Sequence, residues 1–372
     1  MRVLQVNKLY PPPRAGVEVV VQDIAEDLAA AGDGSAVLAS GRVPGAVDAG
    51  GVTVTRSRSL GSLLRMPVAP GMISDLRRLS READVILLHH PFPLGFLAYL
   101  VAGRGRPLAV WYHADIVRQR MTGFLLRPLI DACLARARVI LVASEALLDS
   151  PRLAAHRARC RVVPFGIDPD WATDEGAVAT EAARIRGEHP GPLALHLGRL
   201  VSYKGLPVLL RAMRSQDATL LLVGDGPEEA SLREQAAALG IADRVIFIAG
   251  PEDARPYFLA CDVFVLPSVT QAEAFGLVQL EAMAYGKPVI NTSLPTGVPE
   301  ISLDRVTGIT VPAGDAAALA DALRTLLGDA ELRVRYGTAG RKRVEERFSR
   351  AGFALAVRDA LRAARNGRSP SA

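Results

Sequence analysis

The sequence predicts an α/β protein made of two successive doubly wound domains. Three observations carry this expectation. Short apolar runs alternate with amphipathic stretches along the whole chain; 49% of the residues are apolar while only 5% are aromatic; and the composition shifts abruptly after residue 168. Short apolar runs bounded by turn residues read as strands buried on both faces. The amphipathic stretches between them read as the helices that cover a parallel sheet. The 372 residues allow two domains of ordinary size.

In the first half, strands are expected at 3–7, 35–38, 52–55, 85–89, 108–112, 139–143 and 161–164. Residues 17–31 read as a helix, because Val17, Val20, Val21, Ile24 and Leu28 fall on one face and Gly32 can stop it. After Pro164-Phe165-Gly166-Ile167-Asp168 comes a polar, acidic, Ala-rich stretch, 169–192, closed by Pro190-Gly191-Pro192. It reads as the interdomain connection with a leading helix. A second series of strands follows at 193–197, 219–223, 245–248, 263–266, 288–291 and 309–311. Residues 348–366 read as a long amphipathic helix and 367–372 as a frayed end. The domains are therefore expected at 1–166 and 167–347. Two such domains facing each other would place a ligand cleft at the carboxyl ends of both sheets.

Several classes are excluded or disfavoured. No uncharged apolar stretch of about 18 residues occurs, so no transmembrane helix is expected. Met1-Arg2-Val3-Leu4-Gln5-Val6-Asn7 reads as a buried strand rather than a signal sequence. Cys133, Cys160 and Cys261 have no metal-ligand spacing and read as thiols in a reducing cytosol. Residues 1–160 carry 20 basic against 13 acidic side chains, the remainder 24 against 26. A basic first half points to an anionic partner, although a solvated Arg-rich surface accounts for the same count. No dense basic run or reader motif supports nucleic acid. The expectation is a cytoplasmic protein with peripheral contact at the inner membrane face, through basic segments such as 118–138. No G-x-S-x-G elbow, H-E-x-x-H helix, phosphate-binding Walker loop or metal carboxylate cluster is present.

Five segments at expected strand ends carry chemistry. The first is His196-Leu197-Gly198-Arg199-Leu200-Val201-Ser202-Tyr203-Lys204-Gly205. Gly198 permits a tight turn, Arg199 leaves the strand's end, and Lys204 follows near the start of the next helix. Two cations beside a helix N-terminus suit a diphosphate. Taken singly, they are ordinary surface charges.

The second is Glu273-Ala274-Phe275-Gly276-Leu277-Val278-Gln279-Leu280-Glu281-Ala282-Met283-Ala284-Tyr285-Gly286-Lys287-Pro288. On one continuous helix the two carboxylates would stand about 80° apart. They converge better with Glu273 in the loop and a helix beginning near 275–276, where free backbone N–H groups can meet phosphate or sugar oxygens. Glu281, two turns in, can accept from a vicinal diol such as ribose, and Gly286 ends the helix. A capping acid and a solvated helix glutamate would explain the pair as well.

The remaining three are weaker. Val223-Gly224-Asp225-Gly226-Pro227-Glu228 is a strand, a glycine turn and a helix start; Gly224 can line a nucleoside pocket, as any βα turn can. In Pro11-Pro12-Pro13-Arg14-Ala15-Gly16-Val17-Glu18, Gly16 can bring N–H groups near an anion, but the loop is too short for a dinucleotide fingerprint. In Trp111-Tyr112-His113-Ala114-Asp115-Ile116-Val117, His113 ends a strand and Asp115 can cap the next helix or meet a hydroxyl. His89 and His90, before Pro91, read as structural.

Together these segments resemble the retaining glycosyltransferases of family 4. Gly16 matches the N-terminal glycine loop, Arg199 and Lys204 the phosphate-binding pair, and Glu273 and Glu281 the E-x7-E pair. The resemblance covers nearly the whole chain in the expected order, with Ala15-Gly16 standing where the family often has Gly-Gly. It implies the GT-B fold: two Rossmann-like domains facing across a cleft, with the C-terminal helix, 348–372, crossing back to the N-terminal domain. Residues 1–166 would be the acceptor side and 167–347 the donor side. The implied activity moves a sugar from a nucleoside-diphosphate sugar to a hydroxyl of a glycan, a lipid-linked saccharide or a small metabolite. Arg199 and Lys204 would neutralise the departing diphosphate. Glu273 would bind a sugar hydroxyl near the reacting carbon, and Phe275, Gly276 and Leu277 would offer N–H groups. Glu281 would hold the ribose, Pro251 would touch the base, and His113 would bind the sugar near the anomeric centre. The resemblance implies front-face reaction with the diphosphate as base, no protein nucleophile, no cofactor and no bound metal.

Within that family, Asn7-Lys8-Leu9-Tyr10-Pro11-Pro12, His113-Ala114-Asp115-Ile116-Val117-Arg118-Gln119 and Pro295-Thr296-Gly297-Val298-Pro299-Glu300 are similar to bacterial enzymes of surface-polysaccharide assembly, some of them mannosyltransferases. Two alternatives stay open from the sequence. One is an epimerase or phosphorylase on the same architecture, although a glycogen-type phosphorylase would want a cofactor lysine and a far longer chain. The other is a non-catalytic nucleotide-sugar-binding protein, which would show donor affinity without turnover.

Overall fold

In the computed structural model of the chain, the described residues are 1–11, 16–43, 45–63, 66–114 and 120–367. They form two compact units. One comprises Met1–Phe165 with Ala351–Ala372, the other Gly166–Arg350.

The first unit is built on a sheet whose strands are β1 (Arg2–Val6), β2 (Gly34–Gly41), β3 (Gly45–Ala49), β4 (Val52–Arg58), then, after a hairpin of β5 (Ser62–Leu63) and β6 (Met66–Pro67), β7 (Val85–His90), β8 (Leu108–Tyr112), β9 (Val139–Val142) and β10 (Cys160–Val162). Their spatial order is β10-β9-β8-β7-β1-β2-β4-β3. All neighbours run parallel except β3, which pairs antiparallel with β4. That edge strand and the hairpin depart from the expected all-parallel pattern. Gly-Ala-Val-Asp-Ala has neither an apolar run nor β-branched density, and its strand character comes from pairing with β4.

Helices cover both faces of this sheet. α1 (Gly16–Ala30) buries Val20, Val21, Ile24, Ala25 and Leu28, and packs Val21 and Ala25 on Val37, Val52 and Val54. It ends at Gly32 as expected, where the Gly32 and Asp33 N–H groups donate to the carbonyls of Ala29 and Leu28. On the opposite face, α2 (Met72–Leu79), α3 (Pro93–Ala98) and α4 (Arg120–Arg136) bury Met72, Leu76, Phe96, Ile130 and Leu134 against Leu4, Ile86, Leu88 and Val110.

The C-terminal helix, Arg350–Asn366, belongs to this unit too. Its buried residues, Phe353, Val357, Ala360, Leu361 and Ala364, form one stripe. Asp33 ties both chain ends together: Oδ1 accepts from the Met1 ammonium at 2.8 Å and Oδ2 from Arg358 Nε at 2.6 Å. Burial opposes ionisation of this carboxyl, yet the two cations hold it below the usual range.

The second unit begins with a polar connection and α5 (Gly176–Glu188), the leading helix expected within 169–192. Six parallel strands follow: β11 (Leu193–Leu197), β12 (Thr219–Val223), β13 (Val245–Ile248), β14 (Val263–Val265), β15 (Val289–Thr292) and β16 (Gly308–Val311), in the order β13-β12-β11-β14-β15-β16. α6 (Leu206–Met213), α7 (Glu229–Ala238), α8 (Arg255–Ala260), α9 (Val278–Ala284), α10 (Val298–Ile301) and α11 (Ala316–Gly328) lie between and after them. Leu206, Leu209, Leu210 and Met213 of α6 share a core with Leu232 of α7, Leu319, Leu323 and Leu326 of α11, and Leu220 and Leu222 of β12.

The chain end corrects one boundary. The expected helix at 348–366 starts at Arg350, and α12 (Ala330–Arg347), capped by Asp329 through the Leu332 N–H, precedes it as a separate helix. The break between them is made by backbone pairing: Ile167 N–H donates to Phe348 O at 2.8 Å and Arg350 N–H to Ile167 O at 3.0 Å. Among the described residues no helix is long and apolar enough to cross a membrane.

Candidate active site

In a parallel α/β sheet, ligands bind where the strand order reverses, beyond the carboxyl ends of the strands. In the second unit that reversal lies between β11 and β14, and both principal motifs emerge there. After β11 the chain passes Gly198 and Arg199 and makes a 3-10 turn, Ser202–Lys204, before α6. After β14 it passes Pro267 and Ser268 to Glu273.

The structure brings Lys204 and Glu273 together. Lys204 Nζ lies 2.6 Å from Glu273 Oε2, and both side chains are nearly buried. Ser268 Oγ donates to the same Oε2 at 2.9 Å. Oε2 is thus doubly engaged, and Oε1 is the oxygen left to accept from a ligand. The Lys204 ammonium has three donors, so two remain after the Glu273 contact. Arg199 is exposed, and its guanidinium has no partner among the described residues. Tyr203 reports the convergence. Burial pushes its phenol up, and the charges of Lys204, Glu273 and Arg199 all act on it.

The sequence anticipated two cations converging beside a helix N-terminus. Lys204 is instead buried and already paired with the glutamate of the second motif.

The helix of that motif also begins later than expected, at Val278 rather than near 275–276. Gly276 has φ +79°, outside the helical region, and a Cβ there would lie 2.6 Å from Leu266 Cδ2. The turn therefore needs glycine on both conformational and steric grounds. The N–H groups of Gly276 and Leu277 donate no hydrogen bond among the described residues. Phe275 is buried and packs edge-on against Phe348 at 6.4 Å.

Glu281 stands on α9 with no side-chain partner among the described residues. Desolvation by its surroundings pushes its carboxyl up to about 7. Gly286 ends α9 as expected, with the Gly286 and Lys287 N–H groups donating to Met283 and Ala282.

Gly224 and Pro251 also lie on adjoining loops. The backbone at Gly224, φ +132°, passes so close to Gly198 that a Cβ would sit 2.2 Å from Gly198 O. Asp225 Oδ2 accepts from Gly250 N–H at 3.0 Å, which fixes the loop carrying Pro251 against the Gly224 turn.

His196 carries a signal that sequence reasoning did not use. Its Nδ1 donates to Val265 O at 2.9 Å, so Nε2 is a bare acceptor, and that atom is buried without a partner among the described residues. Burial, then the charge of Lys204, hold the ring's pKa down to about 3.

The first unit has its own cluster at its own reversal, between β1 and β7. His113, just after β8, is 7% exposed. Its Nε2 lies 2.9 Å from His89 Nδ1, and His89 Nε2 lies 2.9 Å from Gln5 Oε1. Gln5 Nε2 donates to Val21 O at 3.2 Å, which fixes the amide's orientation. The tautomers follow in sequence. Gln5 Oε1 only accepts, so His89 carries its proton on Nε2. His89 Nδ1 then accepts, so His113 carries its proton on Nε2 and its Nδ1 is a bare acceptor.

Burial holds His113 down to about 3, and burial with His113 nearby holds His89 well below the usual range. Trp111 and Phe165 stack with His113, at 5.8 and 6.1 Å between centroids. His89, expected to be structural, is therefore the partner that orients His113. His90 faces the other side, stacked on Tyr112 at 4.4 Å.

Gly16 is the exposed first residue of α1. Pro12, Pro13, Arg14 and Ala15 of its loop lie outside the described residues, as do Asp115 and the rest of 115–119. Among the described residues no group of three or more His, Cys, Asp or Glu is arranged to hold a metal ion.

Two Rossmann-like units of this build, with a cation–carboxylate cluster at a strand reversal, define the GT-B class of fold. The chain belongs to glycosyltransferase family 4 and is a glycosyltransferase: residues 14–171 match the family described as Glycosyltransferase Family 4, and residues 180–343 match Glycosyl transferases group 1. It is 34% identical over 333 residues to the D-rhamnosyltransferase WbpZ of Pseudomonas aeruginosa, covering 88% of this chain and 86% of that one. It is 29% identical over 355 residues to the O-antigen chain mannosyltransferase C of Escherichia coli, covering 94% and 95%. Among solved structures, Anabaena HepE in complex with UDP superposes with a TM-score of 0.81 at 21% identity, over 98% of this chain and 100% of that one. A likeness at that identity concerns the fold.

Proposed function

We propose that the chain moves a sugar of manno configuration from a nucleoside-diphosphate donor to a hydroxyl acceptor, with retention at the anomeric carbon and without a metal. The observation that carries this reading is the cluster after β11 and β14: Lys204 on Glu273 Oε2, the unpartnered Arg199, and the free N–H groups of Gly276 and Leu277. The manno preference is supported by relatives that are a mannosyltransferase and a D-rhamnosyltransferase, since D-rhamnose is 6-deoxymannose.

As the C1–O bond of the donor breaks, negative charge grows on the diphosphate. Lys204, Arg199 and the two N–H groups are fixed positive ends placed to stabilise it, each donor of this kind being worth about 3–4 kcal/mol. Glu273 Oε1 takes a sugar hydroxyl while Oε2 stays on Ser268 and Lys204. Glu281 takes the ribose diol, and Gly224 and Pro251 flank the base. In the first unit, His113 Nδ1 is an acceptor for a sugar hydroxyl, and Gly16 offers backbone N–H. The acceptor belongs to surface-polysaccharide assembly, and α4, with exposed Arg127 and Arg136, contributes peripheral contact with anionic lipid at a cytoplasmic membrane face.

The test is turnover of GDP-mannose and UDP-glucose, with and without lipid-linked saccharide acceptors and with EDTA present. Nucleoside diphosphate release that depends on acceptor, persists in EDTA and yields the donor's own anomer by NMR supports the reading. Inversion, or full dependence on an added metal, would count against it. Failure to float with anionic vesicles at low salt would remove the membrane contact.

A further inference from the structure

Two buried side-chain amides in the second unit have no role in the site described so far. Gln279 of α9 is 0% exposed and Asn291 of β15 is 1% exposed. A buried primary amide costs free energy unless its donors and acceptor are all engaged, and here they are. Asn291 Nδ2 donates to Gln279 Oε1 at 2.9 Å, Val298 O at 3.1 Å and Ser302 O at 3.2 Å. Asn291 Oδ1 accepts from Thr310 Oγ1 at 2.7 Å. Gln279 Nε2 donates to Val298 O at 3.2 Å and makes longer contacts with Phe275 O at 3.4 Å and Gly276 O at 3.5 Å.

Two turns meet at this network. One is the glycine turn at 275–277. The other is the turn at 296–298, within the segment Pro295-Thr296-Gly297-Val298-Pro299-Glu300. Both amides share Val298 O as acceptor, and Gly297 N–H donates to Ala274 O at 2.9 Å. A trans peptide unit holds its C=O and the following N–H on opposite sides. With the carbonyls of Phe275 and Gly276 turned to Gln279, the N–H groups of Gly276 and Leu277 must point away from it. Those are the two N–H groups without a partner.

We propose that Gln279 and Asn291 are positioning residues: they aim the Gly276 and Leu277 N–H groups and tie the turn at 296–298 to them as one element. The inference rests on reading those N–H groups as part of the donor site. An apolar residue of similar volume would fill the same space without an amide to desolvate, so stability alone does not call for glutamine at this position. The neighbouring Thr292 adds to the arrangement by donating from Oγ1 to Ser268 O at 2.7 Å, behind the hydroxyl that holds Glu273. One strand end thus supports both halves of the cluster.

The experiment compares the full-length wild type with Gln279→Leu and the milder Thr310→Val. Backbone deuterium exchange and calorimetric titration with UDP and GDP are both measured. In Gln279→Leu, exchange rises about tenfold at the amides of positions 279 and 280, which donate to Gly276 O and Leu277 O, and also at Gly297, which donates to Ala274 O, while Thr219–Val223 is unchanged. Affinity for whichever nucleotide binds the wild type falls about tenfold or more, with the melting temperature still well above that of the titration. Thr310→Val shifts both readouts in the same direction by less, which keeps the test open if Gln279→Leu does not fold.

Faster exchange at positions 279 and 280 alone, or faster exchange with unchanged affinity, would overturn the positioning role. A wild type that binds neither nucleotide would overturn the donor-site reading and the role with it, and the exchange data would then show whether the two turns are tied all the same.

Discussion

Lys204 and Glu273 form a contact of 2.6 Å in which each side chain is only about one-tenth exposed, 9% and 10%. Removing one member leaves the other charged and buried, which costs about 3–5 kcal/mol, whereas removing both leaves no uncompensated charge. Lys204→Met and Glu273→Gln should each lower the melting temperature by an amount equivalent to that cost, and the double variant should recover most of it. Additive losses in the double variant would mean that the pair contributes no mutual compensation. All three variants should lose transfer activity, because stability and activity separate here.

Arg199 gives the opposite pattern. It is exposed and has no partner among the described residues. Arg199→Ala should change stability by no more than about 0.5 kcal/mol, yet lower kcat/KM by about a hundredfold if the guanidinium meets the departing diphosphate. Wild-type turnover in this variant would remove Arg199 from the site.

Glu281 makes donor binding pH-dependent. Desolvation pushes its carboxyl up to about 7, so below that pH the free protein holds it protonated and one acceptor is lost to the ribose diol. Donor KM should be flat above pH 7 and rise about tenfold per unit below it. In Glu281→Gln the profile should be flat throughout. An unchanged slope in that variant would assign the titration to another group.

Acid should destabilise the first unit steeply. His90 and His113 are held down to about 3, chiefly by burial, and His89 well below the usual value. In the unfolded chain each takes a proton near pH 6.5, while the folded unit keeps them neutral. Their contribution is complete above about 6.5 and is lost as pH falls from there towards 3, at about 1.4 kcal/mol per pH unit for each ring. Melting temperatures measured from pH 7.5 to 5 should show this slope, and His90→Phe should remove about a third of it. His90 is the clearest member to test, since both of its ring nitrogens are buried without partners among the described residues.

Gln5 should influence transfer without touching donor binding. Its amide sets the tautomer of His89, and through it that of His113. In Gln5→Leu the two rings can exchange tautomers, so turnover should fall while affinity for UDP or GDP stays at the wild-type level. Parallel loss of both would place Gln5 in a purely structural role.

Much of this architecture was legible because parallel strands buried on both faces write themselves as apolar runs; Leu108–Tyr112 and Leu193–Leu197 fall where the sequence places them. The antiparallel strand Gly45–Ala49 did not, since its pattern comes from a partner and not from its own residues. α12 was missed because charged residues dominate its sequence, so it shows no apolar stripe. The site shows the same division. Arg199, Lys204, Glu273 and Glu281 stand out by position after strands, but pairing of Lys204 with Glu273 is a tertiary fact that no local spacing encodes. Gln279 and Asn291 read as an unremarkable helix residue and strand residue until the carbonyls around them are known.

The tie between Met1, Asp33 and Arg358 has a consequence for biosynthesis. A ribosome delivers the chain from its amino end, yet the first unit contains the last helix as well. Phe353 closes the ring stack of Trp111 and Phe165, and it emerges only after all of Gly166–Arg350 has been made. The second unit can therefore mature during translation while the first waits, its Trp111 and Phe165 rings without Phe353, for residues 351–366. A message truncated before codon 351 would yield one finished half and one unfinished half. Chaperones would engage the amino-terminal half of such a product, the part translated first and completed last.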